Sequence, residues 1–146
     1  MMSSRTAFVT LLCVAWILTG LVGHDPWKPD EAYTFGVVYS ILEGGSWVVP
    51  HLAGEPFLDK PPLFYLSAAA AAQAFPALLP LHDAARLVTG LWMALTFIFL
   101  GAAARELHGE GRGAIAVLLL LGSLGLVVRS HQLITDVAML AGFAMA

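Results

Sequence analysis

Long runs without a charged side chain limit what this chain can fold into. Residues 6–24 carry no Asp, Glu, Lys or Arg, and neither do residues 61–82, 87–104 and 113–128. A run of about 20 apolar residues is long enough to cross a lipid bilayer as a helix. Of the 146 residues, 59% are hydrophobic and 12% are charged, whereas soluble domains carry about 25% charged residues. The sequence therefore predicts an all-α polytopic membrane protein rather than a soluble or disordered chain.

The composition excludes several other classes of protein. The net charge is −3, so the chain offers no basic surface to nucleic acid. Its single cysteine, Cys13, lies in an apolar run, which excludes a disulfide framework and a cysteine-based metal site. Residues 6–24 also suit a secretory signal peptide, but no A-x-A-like cleavage site follows, so we expect an uncleaved first span. The apolar run after Asp136 stops after ten residues, and we expect the chain to be incomplete.

Residues 24–60 are rich in charged side chains, unlike the uncharged runs. They contain six acidic residues and two lysines and have a net charge of −4. A helix is predicted to open at Asp30, after a proline, and to close at Gly44-Gly45. Trp47–Pro50 is predicted to be extended, and Leu52–Glu55 to form a turn. The helix has one predicted apolar face, which suits a membrane surface. That face consists of Phe35, Val38, Tyr39 and Leu42.

The positive-inside rule determines the predicted topology. Arg5 places the amino terminus in the cytoplasm, so the acidic stretch lies outside. The polar hairpin with Arg105 and Arg112 is then cytoplasmic only if residues 61–80 do not cross the membrane. Four prolines in that segment also disfavour a crossing, namely Pro61, Pro62, Pro76 and Pro80. We therefore expect residues 1–146 to form the amino-terminal part of a multi-span domain, with juxtamembrane helices in an external loop of residues 25–85. The expected spans are about 6–24, 86–104, 113–129 and 136 onward.

Two carboxylates, Asp30 and Glu31, begin the predicted surface helix. Asp30 suits an N-cap, whose side chain accepts a backbone N–H and contributes about 0.5–2 kcal/mol. Glu31 favours the positive end of the helix dipole. A carboxylate held in one rotamer at a membrane surface also suits catalysis, so both interpretations stay open at this point.

Two further charged positions could carry chemistry. Lys60 precedes Pro61-Pro62, which restrict the backbone from which its side chain extends. The alternative is a snorkelling interfacial lysine paired with Asp59. Asp136 begins an apolar run, where an ionised carboxylate marks a functional site by default; the alternative is a helix N-cap in partnership with Thr135. His131, a little earlier, is by itself more often a hydrogen-bonded interfacial residue than a ligand.

Taken in order, these features form a recognisable pattern. Asp30-Glu31 is followed by Gly-Gly-Ser-Trp-Val-Val-Pro at 44–50, then by Gly-Glu-Pro-Phe-Leu-Asp-Lys-Pro-Pro-Leu at 54–63, then by Ala-Arg-Leu at 85–87 and an acid after the third expected span. The pattern resembles the amino-terminal part of GT-C type polytopic glycosyltransferases that use polyprenyl-phosphate sugars. The lipid A aminoarabinose transferase family is the most similar, and the protein O-mannosyltransferases are more distant. The resemblance covers residues 5–146.

The resemblance implies a GT-C-like fold in a bacterial inner membrane, with an active site on the periplasmic side and a role in lipopolysaccharide modification. By position, Asp30 resembles the catalytic acid of the first external loop, Lys60 the phosphate-binding lysine and Asp136 the second acidic motif. Glu31, Asp59 and His131 are further substrate-binding candidates. Asp59 replaces a usual Glu of the aminoarabinose transferases, which leaves a divalent cation open. His131 replaces an Arg of the mannosyltransferases, which leaves the donor and acceptor open.

The implied reaction moves a sugar from a polyprenyl-phosphate donor to a lipid or protein acceptor. Lys60 stabilises the charge that develops on the leaving phosphate. Asp30 takes the acceptor's proton or, for a phosphate acceptor, orients it, stabilises positive charge on the sugar or holds a metal. The family's chains are several times longer, so we expect the isolated chain to be inactive. A transporter or a structural membrane subunit, with the acidic stretch as a solvated surface, is the alternative.

Overall fold

A computed structural model describes residues 4–27, 29–75 and 78–146 of the chain. These residues are mainly helical, as the sequence predicts, with one short β-hairpin. In chain order the elements are α1 (Ser4–Leu18), α2 (Asp30–Leu42), β1 (His51–Leu52), β2 (Glu55–Pro56), α3 (Leu63–Ala74), α4 (Leu81–His108), α5 (Arg112–Leu121), α6 (Leu124–Arg129) and α7 (Asp136–Met145).

The long helix α4 is the element against which most others pack. It contains 28 residues, a length of about 42 Å at 1.5 Å per residue. Within the described ranges it is the one helix long and apolar enough to cross a membrane. Its first turns share a buried core with α2 and α3, which includes Val38, Phe64 and Ala85. Further along, Met93 and Phe97 pack against α5 and α7.

The two ends of α4 gather different parts of the chain. At its carboxyl end, a cavity of about 380 Å³ is lined by residues of α1 and of the loop before α5, among them Thr6, Arg105 and Glu110. At its amino end, the backbone N–H of Gly23, after α1, donates to Asp83. α1 and α4 are therefore antiparallel, and the starts of α2 and α3 lie at the opposite end from Arg105.

Helix boundaries differ from the expected spans, and α4 (Leu81–His108) extends beyond the expected span 86–104 at both ends. α1 ends at Leu18 rather than continuing to residue 24, and the expected span 113–129 is divided into α5 and α6 at Gly122-Ser123. The side chain of Ser123 donates to the carbonyl of Leu119 (3.1 Å) at this break, a bond that competes with the regular helix. α3, in the predicted juxtamembrane segment, has 12 residues. Pro76 lies outside the described residues, and the four-span topology stays a prediction.

The segment between α1 and α3 contains a helix and a turn at the predicted places. α2 begins at Asp30 and ends at Leu42, and Gly44 follows at φ 93°. In the hairpin, Leu52 pairs with Glu55. Ala53 and Gly54, the two residues between them, both have positive φ, as in a type I′ turn. The predicted turn is therefore confirmed.

The buried face of α2 is shifted from the predicted one. Tyr39 is exposed, whereas Thr34, Val37 and Ile41 are buried. The reason is tertiary: α3 covers the side that carries Val37 and Ile41, and the hairpin covers the next side. A Cβ atom on Gly36 would lie 2.7 Å from Leu52 Cδ1, so a side chain at this position would require the side chain of Leu52 to move.

Candidate functional site

Three helices begin around one small pocket. α2 starts at Asp30, α7 starts at Asp136, and Lys60 lies two residues before Pro62, which precedes α3. The pocket has a volume of about 140 Å³ and is lined by Asp30, Tyr33, Thr34, Phe57, Lys60, Tyr65, Ile134, Thr135 and Asp136. The three residues predicted to carry the chemistry thus come together from three separate segments.

The pocket wall is built largely from first turns of these helices. Tyr33 and Thr34 belong to the first turns of α2, Tyr65 belongs to the first turn of α3, and Thr135 precedes α7. The amino end of a helix carries a partial positive charge and unpaired backbone N–H groups. Among the residues that the structure describes, no side chain caps α2, α3 or α7. Three uncapped helix ends around one pocket favour the binding of an anion.

Each of the two pocket acids forms an ion pair with a basic residue from another segment. Lys60 Nζ lies 3.3 Å from Asp136 Oδ1, and Arg129 Nη1 lies 2.9 Å from Asp30 Oδ2. Arg129 Nη1 also donates to Gln132 Oε1 (3.3 Å). The side chains of these two pairs are 50–58% exposed, and exposed pairs contribute only about 0–1 kcal/mol. A ligand can therefore replace either partner at low cost.

These pairs decide two alternatives left open by the sequence. Neither Asp30 nor Asp136 caps its own helix, because α2 and α7 lack a side-chain cap and both carboxylates face a cation instead. Capping is thus the wrong explanation for both acids. Lys60 pairs with Asp136 and not with Asp59, so the predicted Lys60–Asp59 pair is also wrong.

Glu31 lies in the interior behind the pocket and is 1% exposed. Its Oε1 accepts hydrogen bonds from Arg86 Nε (2.7 Å) and from the backbone N–H of Leu133 (2.8 Å). Its Oε2 accepts from the backbone N–H of Trp27 (2.8 Å). Arg86 also donates to Asp83. Glu31 was predicted to bind substrate beside Asp30, and these contacts direct its carboxylate away from the pocket.

The other two substrate-binding candidates lie outside the pocket lining. Asp59 is exposed next to Lys60. His131 is buried, with Nδ1 2.6 Å from the carbonyl oxygen of Val127 and Nε2 2.8 Å from that of Trp16. Its ring packs against that of Trp16 with a centroid distance of 4.6 Å and a tilt of 53°, and it lines a separate cavity of about 500 Å³. His131 thus fastens the segment before α7 to α1.

Tyr65 is a pocket residue that the sequence did not indicate. Its side chain is buried and lines the pocket. Burial, together with the negative charges of Asp59 and Asp136, raises the pKa of Tyr65 from 10 to about 12. Tyr65 is therefore a neutral hydrogen-bond donor to whatever occupies the pocket at physiological pH.

Sequence reasoning also missed the partners of the acids. Arg129 stands alone at the end of an apolar run and seven residues before Asp136, a position that marks the same membrane face as the acids. Asp83 and Arg86, three residues apart at the start of a helix long and apolar enough to cross a membrane, carried a second signal. Tyr65 carried none, because a tyrosine in an apolar run is ordinarily part of the core.

An apolar cavity of about 350 Å³ adjoins the pocket. The two share Ile134 and Asp136 in their walls. The cavity continues between α4, α6 and α7, where it is lined mainly by Met93, Leu126, Val137, Met139, Leu140 and Phe143, with Arg129 also in its wall. A polar pocket that opens beside an apolar cavity suits a ligand with a charged head and a hydrocarbon chain.

The divalent cation that the resemblance left open does not fit this donor set. Across residues 4–27, 29–75 and 78–146, no three His, Cys, Asp or Glu side chains lie close enough together to hold a metal ion. The two pocket acids are each paired with a cation instead.

Comparison with known proteins identifies relatives of this chain. The undecaprenyl phosphate-alpha-4-amino-4-deoxy-L-arabinose arabinosyl transferase of Pseudomonas savastanoi pv. phaseolicola is 30% identical over 130 residues, which are 86% of this chain and 24% of that protein. The enzyme of the same name from Pseudomonas aeruginosa is 32% identical over 128 residues, 85% of this chain and 23% of its own. A Sodalis glossinidius relative is 41% identical over 54 residues, 35% of this chain and 10% of its own.

The two Pseudomonas relatives match most of this chain, and the chain spans about a quarter of the length of each. No family model and no solved structure matches it. The resemblance based on Asp30-Glu31 and Asp59-Lys60-Pro61-Pro62 is nevertheless confirmed by relatives that share one name. Over most of its length, the chain is related to the undecaprenyl-phosphate aminoarabinose arabinosyl transferases.

Proposed function

We propose that this protein is a glycosyltransferase that moves 4-amino-4-deoxy-L-arabinose from undecaprenyl phosphate to a lipid acceptor at the extracytoplasmic membrane face. The observation that carries the proposal is the pocket shared by Asp30, Lys60 and Asp136. The donor named by the relatives has a phosphate, a sugar and a long hydrocarbon chain. The pocket and the adjoining apolar cavity offer surfaces suited to each of these parts.

The donor phosphate binds Lys60 in this proposal. The ammonium group leaves Asp136 and turns to the phosphate, which is also attracted by the amino ends of α2, α3 and α7. The exchange is easy because the Lys60–Asp136 pair is half exposed. The prenyl chain lies along the apolar cavity between α4, α6 and α7.

In the transfer step, the bond between the anomeric carbon and the phosphate oxygen breaks, and a bond forms from that carbon to an acceptor oxygen. Undecaprenyl phosphate leaves with the electron pair, and Lys60 stabilises its added charge more in the transition state than in the ground state. A hydroxyl acceptor gives its proton to Asp30. A phosphate acceptor has no proton to lose, and Asp30 then stabilises the positive charge on the sugar.

The topology proposed with this function places the pocket outside the cytoplasm, in a multi-pass inner-membrane protein. Two features support it. Asp30 and Asp136 lie in one pocket, as they do if residues 61–80 stay on one side of the membrane. Thr6 and Arg105 line one cavity at the other end of α4, which matches a cytoplasmic amino terminus and a cytoplasmic Arg105–Arg112 hairpin.

The test is donor binding followed by transfer. Undecaprenyl phosphate is titrated into the purified protein in detergent, and transfer of labelled aminoarabinose from its undecaprenyl-phosphate donor to lipid A is measured with the full-length protein in vesicles. We expect saturable binding of undecaprenyl phosphate. Inorganic phosphate should compete only weakly, because it lacks the hydrocarbon chain. Saturable binding without transfer to any lipid would indicate a carrier or a structural subunit. Absence of both would contradict the proposal.

A further inference from the structure

A buried network of charged side chains lies behind the pocket and connects its two acidic helix starts. We propose that Glu31 and Arg86 are positioning residues: they fix the distance between Asp30 on α2 and Asp136 on α7. The kinetic part of this inference rests on the proposed transferase function, whereas the geometric part does not.

The network is fully buried. The side chains of Glu31 and Arg86 are both 0% exposed, and Glu31 directly follows Asp30 at the start of α2. Among the described residues, Arg86 has hydrogen bonds only to Glu31 and Asp83, and its Nη2 has no acceptor. A buried charge is costly unless it is paired, so Glu31 cannot move away from Arg86 without leaving that charge poorly compensated.

The same carboxylate holds the segment that leads to α7. Glu31 Oε1 accepts a hydrogen bond from the backbone N–H of Leu133, which lies between Arg129 and Asp136 in the sequence, and each of these two residues belongs to one of the pocket ion pairs. One turn along α4 from Arg86, the hydroxyl of Thr89 donates to the carbonyl of Gln132 (3.1 Å). α4 therefore holds two adjacent residues before α7: it binds residue 132 directly and residue 133 through Glu31.

The relative strengths of these contacts show which of them sets the geometry. The Lys60–Asp136 and Arg129–Asp30 pairs are half exposed and screened by water, so they hold their residues weakly. The Glu31–Arg86 pair is out of water, and its loss leaves unpaired groups in the interior. The exposed pairs can therefore exchange partners during a reaction while the buried pair keeps the two helix starts in place.

Asp83 provides a matched control on the other side of the same arginine. Its Oδ1 accepts from Arg86, and its Oδ2 accepts from the backbone N–H of Gly23 (3.0 Å), away from the pocket. Glu31→Gln and Asp83→Asn each remove one charge and replace one accepting oxygen by an NH₂ group. The two variants disturb Arg86 alike, but only Glu31→Gln loosens the link between α2 and the segment before α7.

The experiment combines distances with kinetics. Spin labels are placed at the exposed positions Tyr33→Cys and Met139→Cys, in a Cys13→Ala background, and the distance distribution between α2 and α7 is measured for the parent, Glu31→Gln and Asp83→Asn. We expect one narrow distribution for the parent and for Asp83→Asn, and a broader or displaced one for Glu31→Gln. Arg86→Lys, which keeps the charge but loses the Nε donor, is expected to fall between them and serves if Glu31→Gln does not fold.

The kinetic measurement uses unlabelled full-length protein. Glu31→Gln should lower kcat by about 10²-fold, the effect of a misplaced reacting group, with little change in donor KM. Asp83→Asn should lower the melting temperature while keeping kcat. If both variants lose activity in proportion to their melting temperatures, or if Glu31→Gln leaves the distance distribution unchanged, the positioning role is wrong. If the parent shows no transfer, the proposed function fails, and the distance measurement still decides this inference.

Discussion

Lys60 and Asp136 are 76 positions apart in the sequence, and their side chains meet at 3.3 Å across the candidate pocket. The contact joins the segment before α3 to the first residue of α7. It also occupies the lysine that the proposed function assigns to the donor phosphate. Lys60 therefore has to exchange one anionic partner for another when the donor binds.

The first prediction concerns that exchange. Lys60→Ala should weaken the binding of undecaprenyl phosphate by about 10- to 100-fold, the equivalent of a hydrogen bond to a charged group at about 1.5–3 kcal/mol. Lys60→Arg should restore binding only in part, because a planar guanidinium does not reproduce a compact ammonium group. Binding is measured by titration in detergent. Arg112→Ala, at the opposite end of α4, is the control, and equal affinities for Lys60→Ala and the parent would contradict the assignment.

The second prediction concerns Asp30. Asp30→Asn keeps an oxygen that can accept from Arg129, so we expect normal insertion and an unchanged melting temperature. The amide has neither the charge nor the basicity of the carboxylate, so the transfer rate should fall by at least about 10²-fold. Asp136→Asn should be the milder change, because Asp136 acts in the proposal only as the resting partner of Lys60. A near-parental rate for Asp30→Asn would leave the mechanism without a base.

The third prediction concerns the hydroxyl group of Tyr65 and tests whether it contacts the bound donor. Tyr65→Phe removes one buried hydroxyl from the pocket and should weaken donor binding by up to about 10-fold. Tyr39→Phe, on the exposed side of α2, should leave binding unchanged. Equal effects of the two variants would show that the Tyr65 hydroxyl does not contact the ligand.

The pH dependence of stability follows from the same residue. Folding raises the pKa of Tyr65 from 10 to about 12, so the folded protein holds this proton more tightly than the unfolded chain does. The contribution of Tyr65 is complete below about pH 10 and is lost as the pH rises through about 12. Tyr65→Phe should therefore lose less stability than the parent over that interval. Chemical denaturation at several alkaline pH values, with phenolate absorbance followed in parallel, measures the difference.

The last prediction concerns topology. Single cysteines at Glu55→Cys and Glu110→Cys, in a Cys13→Ala background, are treated in intact cells with an impermeant thiol reagent. Both positions are exposed, and both avoid the neighbouring glycines at 54 and 109, whose positive φ disfavours a cysteine. We expect labelling at residue 55 only. Labelling at residue 110 would show that residues 61–80 cross the membrane or that the orientation is reversed.

The sequence indicated Asp30, Lys60 and Asp136 because each breaks a local pattern: an acid after a proline, a lysine before two prolines, an acid at the start of an apolar run. It also indicated α2 and the turn at Leu52–Glu55 through short-range signals. These features depend on a few neighbouring residues. They were therefore accessible without tertiary structure.

The partners of these residues depend on long-range packing and were not accessible in the same way. Arg129 reaches Asp30 across 99 positions, and Glu31 is buried only because α4 brings Arg86 against it. Long-range packing, in this case by α3 and the hairpin, also shifts the buried face of α2 away from Tyr39. A carboxylate on the first turn of an isolated helix is expected to face water, so nothing local distinguished Glu31 from Asp30.

The order in which the ribosome produces these residues gives the buried network a consequence for membrane assembly. Both groups that neutralise Arg86, Glu31 and Asp83, precede it in the chain. Its counter-ions are therefore already synthesised when α4 emerges, so that a helix entering lipid would not have to carry an unmatched charge. Leu133 is made later and finds the carboxylate of Glu31 already fixed. The part of the chain up to Arg86 can thus provide a preformed contact site for the segment that leads into α7.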